Sequence, residues 1–105
     1  MQSSTHHFDG GAVTRFVTDR GSVVVLVRPD GEDASIEVYE AAACVSAVGS
    51  EDKDFAMSEA SMAARNRFGP GLIRKMLRHV AAANPWVRRW TWDRTIRDVR
   101  AAGRA

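Results

Sequence analysis

The stretch Asn66-Arg-Phe-Gly-Pro-Gly71 separates two halves of this 105-residue chain that differ in pattern and in charge. Two glycines and a proline within six residues interrupt regular structure, and glycine lets a backbone approach a ligand closely. Residues 1–63 carry four basic and eleven acidic side chains, a net charge of −7. Residues 64–105 carry eleven basic and two acidic side chains, a net charge of +9. Such an asymmetry is informative about binding partners rather than about fold.

The residues that follow this stretch predict a helix, a strand and a second helix. Pro70 is tolerated in the first helical turn, and the pair Asn84-Pro85 ends the first helix. Trp86–Trp92 alternates as a strand with one aromatic side, and Asp93 is a suitable cap for a last helix at 94–102. The first helix is amphipathic, with apolar residues at helical spacing: Leu72, Ile73, Met76, Leu77 and Val80.

The residues before the stretch predict antiparallel strands. Runs rich in β-branched residues fall at Ala12–Thr18, Ser22–Val27 and Ala34–Glu40, with turn signals between them. The second run is almost uniformly apolar, which is typical of a strand buried on both faces. Two segments stay open: residues 41–48 either prolong the third strand or form a short helix, and residues 55–64 fit a helix or a strand about equally.

The order of elements predicts a single α+β (mixed α/β) domain over residues 12–105. Antiparallel N-terminal strands come first, and a helix-strand-helix unit packs with them on one central sheet. Residues 1–11 are expected to be a flexible arm. The length suits one domain, and 45% apolar with 27% charged residues is ordinary for a soluble globular protein.

Several classes of protein are excluded by composition. The single cysteine, Cys44, forms no internal disulfide and suits a small buried position, which favours a reducing, cytoplasmic compartment. No apolar run approaches the roughly 20 residues that span a bilayer, and the N-terminus has no secretory signal pattern. His6, His7 and His79 lack zinc-ligand spacing, so no metal site is expected.

The helix that begins at Pro70 offers a site for an anion. The amides of a first helical turn are unpaired and the dipole is positive there, so phosphate groups bind at such ends. Arg65 and Arg67 add formal positive charge beside the turn. The alternative interpretation of Gly-Pro-Gly is a plain turn between two helices.

The run Met62–Leu77 resembles the acyl-CoA-binding segment of the GNAT N-acetyltransferase superfamily. That family carries Gln/Arg-x-x-Gly-x-Gly/Ala at a strand-to-helix junction, and Asn66, Gly69 and Gly71 fall on the three motif positions. Asn66 departs from the usual Gln or Arg, and Pro70 removes one amide donor. The resemblance implies a minimal or degenerate N-acetyltransferase that binds acetyl-CoA or another acyl-CoA and acylates an amine.

The resemblance also implies roles for individual residues. Phe55–Met62 would be the strand before the motif, and Glu59 would be the general base acting through water. The CoA pyrophosphate would be held by the turn and the backbone amides near it. The implied cofactor-binding residues are Asn66, Arg67, Phe68, Gly69 and Gly71.

Two other functions fit the charge pattern. Ten of the eleven basic residues after residue 63 are arginines, which suit phosphate contacts, and the tryptophans among them suit stacking on single-stranded nucleic acid. The segregated charge also suits a small interaction or inhibitor domain with an acidic protein partner, or two copies associating head to tail. The residues predicted to contact nucleic acid are Arg74, Lys75, Arg78, Arg88, Arg89 and Arg97.

Overall fold

The structure, a computed structural model, describes residues 1–30 and 33–84. Four strands form one antiparallel sheet in the order β1-β2-β3-β4, and two helices follow them. The predicted α+β class and its antiparallel N-terminal strands are confirmed. The predicted strand at 86–92 and helix at 94–102 lie outside the described residues. The elements are β1 (Gln2–Phe8), β2 (Gly11–Thr18), β3 (Gly21–Asp30), β4 (Asp33–Glu40), α1 (Ala41–Val48) and α2 (Lys53–Ala83).

Strand β1 corrects the expectation of an arm outside the domain. It pairs with β2 along its whole length, with Thr5 opposite Thr14 and their hydroxyl oxygens 2.9 Å apart. All seven of its residues are exposed, so backbone pairing rather than apolar burial positions the strand. The residues Gln-Ser-Ser-Thr-His-His carry no hydrophobic alternation, which is why the sequence pattern did not predict it.

In the described part of the chain, α2 covers one face of the sheet. On the covered face, Phe16 lies opposite Val23, and Val25 lies opposite Val38; all four are buried. On the opposite face, Val24 and its neighbours are half-buried or exposed. The prediction that Ser22–Val27 is buried on both faces is therefore wrong for the described part of the chain.

Helix α1 begins where β4 ends, because Glu40 caps it. The Glu40 carboxylate accepts a hydrogen bond from the backbone N–H of Ala43 at 2.7 Å, which satisfies one of the amides left unpaired in a first turn. Of the two alternatives open for residues 41–48, the helix is confirmed. Gly49 lies at its C-terminal end.

Helix α2 consists of two helical segments that meet at Gly69. Asp52 caps the first segment by accepting the N–H of Phe55 at 3.2 Å. At Gly69 the backbone leaves the helical region, with φ 77° and ψ 161°, and Pro70 then begins the second segment. The helix predicted from Pro70 is confirmed, and residues 55–64 are helical rather than extended.

Both segments of α2 pack their apolar side chains on the sheet. At the C-terminal end, the ring of His79 meets that of Phe16 edge to face, with centroids 5.5 Å apart. None of the helices in the described part of the chain is long and apolar enough to cross a membrane. The core residues from α2 are Ala64, Phe68, Ile73, Met76, Leu77 and Val80.

Candidate anion-binding sites

The Gly69 junction is the most constrained point of the predicted acyl-CoA site. Its φ and ψ fall in a region that is essentially restricted to glycine. A Cβ atom placed on Gly69 or on Gly71 would meet no atom within 4 Å, so both positions are open. The second segment of α2 therefore begins at an accessible helix N-terminus, as the Gly-Pro-Gly sequence predicted.

The helix reduces the number of amides that this turn offers to an anion. Arg67 and Phe68 lie in the last turn of the first segment, where an amide donates to the carbonyl four residues earlier. Pro70 has no amide hydrogen. Of the predicted backbone cradle, Gly69 and Gly71 remain. The side chain of Phe68 is 3% exposed and belongs to the core.

The resemblance implied a strand over Phe55–Met62. That prediction is wrong, because these residues lie in the first segment of α2. A splayed strand edge that would accommodate a pantetheine arm is absent at these positions. GNAT membership and an acyl-CoA cofactor stay predictions. The described residues contain one part of such a site, the helix start after Gly69, but not the other part, the preceding strand.

Glu59, the predicted general base, lies away from the predicted cofactor residues. It is exposed on α2 and lines a cavity of about 630 Å³ between α1 and α2, together with Phe55 and Ser46. Asn66 is exposed on the same helix and does not line this cavity. The structure therefore does not bring Glu59 and the 66–71 turn into one pocket among the described residues.

Arg67 lines a different cavity, of about 470 Å³, which we call the Arg15–Arg67 cavity. Its lining comes from β2, β3, the end of β4, the first half of α1 and, through Arg67, from α2. The guanidinium of Arg67 reaches the turn between the strands, since a Cβ on Gly21 would lie 3.6 Å from its Cζ atom. The lining residues include Arg15, Ser22, Val24, Glu40, Cys44 and Val45.

Arg15 is the functional candidate that the sequence pattern missed. Strand alternation alone assigns it to the side opposite the buried Phe16. Its relation to Arg67 depends on the strand register and on the path of α2, which no local pattern specifies. The available signal was that Arg15 is the one charged residue of its strand.

Two ionisable groups near this cavity have raised pKa values. Partial burial raises the pKa of the Cys44 thiol, and the charge of Glu40 raises it further. Partial burial also raises the pKa of the Tyr39 phenol, with Glu37 as the second cause. Both groups are therefore held in the protonated, uncharged form at neutral pH, and Cys44 is half-buried rather than fully buried.

The second segment of α2 presents a basic face to solvent. Lys75 and Arg78 are exposed, and neither forms an ion pair with a carboxylate of the described residues. Arg74, predicted with them, is half-buried. We use the name basic face for Lys75 and Arg78. Arg88, Arg89 and Arg97, which were also predicted to contact nucleic acid, lie outside the described residues.

Within residues 1–30 and 33–84, no group of three His, Cys, Asp or Glu side chains is arranged to hold a metal ion.

Comparison with known proteins adds no relative, since no protein-family model, curated protein or solved structure matches this chain.

Proposed function

We propose that this protein binds nucleic acid through the basic face of α2, by contacts to the phosphate backbone. One observation carries the proposal. Between Ala64 and Ala83 the helix has five basic residues and no acidic one, and its exposed Lys75 and Arg78 have no carboxylate partner among the described residues. Exposed cations of this kind attract phosphates and displace condensed counterions from nucleic acid.

The geometry of the basic face supports phosphate contacts. Lys75 and Arg78 are three residues apart, so they lie on the same side of the helix, about one turn from each other. Their helix is fixed to the sheet by buried side chains such as Met76 and Leu77, which makes the exposed face rigid. The sequence adds six further arginines after residue 84, which would extend the positive charge.

The charge along α2 also supports a single binding end. Asp52, Asp54 and Glu59 lie at or in the first segment of α2, where Lys53 is the one basic residue before Arg65. Asp52 and Asp54, at the N-terminal end of α2, complement the macrodipole there. They would also repel phosphate from the first segment of α2 and restrict a nucleic acid to the second.

Binding of a labelled single strand and of a duplex, measured by fluorescence anisotropy at several salt concentrations, tests the proposal. Each phosphate contact contributes about 0.9 to the slope of log K against log salt on a duplex and about 0.7 on a single strand. A K75E/R78E variant removes two contacts, so we expect weaker binding and a slope reduced by about 1.4–1.8.

The matched control is R20E/K53E, which changes the net charge equally at exposed positions outside the basic face. We expect this control to keep the larger part of the affinity and of the salt slope. Equal losses in both double variants would reduce the effect to overall charge and contradict a basic face. Absence of binding by the wild-type protein at low salt would also overturn the proposal.

A further inference from the structure

We infer that the Arg15–Arg67 cavity binds a small molecule with an oxyanion, a carboxylate or a phosphate, on an apolar body. This site is separate from the basic face, and the inference does not depend on the proposed function. Its volume of about 470 Å³ falls in the range of small-molecule pockets, about 300–1,000 Å³.

The charges that line the cavity call for an anion. Arg15 and Arg67 line it from different elements, and neither forms an ion pair with a carboxylate of the described residues. Glu40 is the one carboxylate in the lining, and its side chain is occupied by the first turn of α1 through the Ala43 amide. Two guanidinium groups that form no ion pair with a described carboxylate match the planar, bidentate geometry of a carboxylate or a phosphate.

The remaining lining specifies the rest of the ligand. Val24 of β3 and Val45 of α1 supply apolar surface, and the uncharged Cys44 thiol adds to it. Ser22 adds a hydroxyl to the lining. A free inorganic ion would leave the apolar surface uncovered, so the lining favours an amphiphilic ligand over a bare anion.

The position of Arg67 depends on the turn between β2 and β3. Gly21 has φ 124°, and the guanidinium of Arg67 packs at ordinary contact distance from the place that a Cβ would occupy. The turn is also held by Thr18, whose hydroxyl donates to the Gly21 carbonyl at 3.0 Å. The turn conformation thus brings Gly21 into contact range of one of the two cations.

Cys44 provides a direct test because it lines the cavity and is the only cysteine. The rate of its alkylation by iodoacetamide, followed by mass spectrometry at one fixed pH, reports occupancy. The probes are hexanoate, hexyl phosphate and, as the uncharged match, hexanamide. We expect hexanoate, hexyl phosphate or both to slow alkylation saturably, whereas hexanamide leaves the rate unchanged. Comparison of the two anions separates a carboxylate from a phosphate ligand.

Substitution of the arginines makes the assignment specific. The measured quantity is the anion concentration that gives half of the maximal slowing of Cys44 alkylation, the half-protecting concentration. Because hydrogen bonds to charged groups are strong, R15Q and R67Q should each raise it about tenfold or more. R20Q, an exposed arginine beside the same turn that does not line the cavity, should leave it unchanged. Equal protection by hexanamide, an unchanged response in both R15Q and R67Q, or no protection of the wild-type protein up to the solubility limit would each overturn the inference.

Discussion

Replacement of Gly69 by alanine should destabilise the protein, whereas the same replacement two residues later should stabilise it. At φ 77° and ψ 161°, Gly69 has a backbone conformation that an L-residue rarely adopts. An alanine cannot relax into the helical region, because Pro70 disfavours that region for the residue before it. Relaxation to negative φ would swing the second segment of α2 away from the sheet and expose Ile73 and Leu77, which are fully buried.

The magnitude follows from the surroundings of the two glycines. No atom lies within 4 Å of a Cβ at Gly69, so the cost contains no steric contact and reduces to backbone strain, about 1–3 kcal/mol. Gly71 has no positive φ, is exposed, and is equally open. Alanine there should stabilise the helix by about 0.5–1 kcal/mol, since glycine is a poor helix former.

Urea unfolding of the wild-type protein, G69A and G71A measures the three free energies of unfolding. For a chain of this size, about 1 kcal/mol corresponds to roughly 4–8 °C in Tm, so thermal unfolding provides a second measurement. Shifts of the same sign in the two variants, or a G69A variant as stable as the wild type, would refute the reasoning. In that case the break in α2 would not depend on the conformational freedom of glycine.

Three further outcomes follow from burial and hydrogen bonding. Phe16→Ala empties a fully buried position and should cost about 3–5 kcal/mol, whereas the exposed Phe55→Ala should stay within about 0.5 kcal/mol; urea unfolding that gives equal costs would contradict the described core. The alkylation rate of Cys44 should reach its midpoint at higher pH in the folded than in the unfolded protein, because burial and a nearby carboxylate raise its pKa. By linkage, this raised pKa contributes stability that is present below the unfolded pKa and is lost as the pH rises through the folded one; coincident midpoints would contradict it. Asn84→Ala removes a side-chain bond of 2.8 Å to the carbonyl four residues earlier and should cost about 1 kcal/mol, while the exposed Asn66→Ala should cost less in the same unfolding assay.

Strands with an apolar or alternating pattern were predictable from sequence because the same residues that favour extended backbone also form the core. This holds for β2 and for β4, where alternate residues such as Phe16 and Val38 are buried and Ile36 is half-buried against the core. It fails for β1, in which no residue is buried and the strand is positioned by its backbone ladder with β2 and by polar contacts such as that of Thr5 with Thr14. It also fails for Phe55–Met62, where Met and Ala occur in helices and in strands. The Asp52 cap and the burial of Ala60 and Ala64 favour the helix there.

The candidate sites divide in the same way. The basic residues of the second half, and the Gly-Pro-Gly break that precedes most of them, are properties of the sequence, because charge and glycine or proline content need no fold. Lys75 and Arg78 are therefore predictable from the sequence as candidates for contact with nucleic acid. That Arg15 and Arg67 line one cavity could not be predicted from the sequence, since 51 residues separate them in the chain.

The sequence by itself determined the α+β class, the start of a helix at Pro70 and the polarity of charge along the chain. These features depend on local propensity and composition, which each segment carries with it. Only the tertiary structure decided that Glu59 and the 66–71 turn lie in different surroundings and that Arg15 and Arg67 line one cavity. The physical reason is that strand register and the direction of a helix after a break are set by packing between distant residues, and local sequence does not specify either.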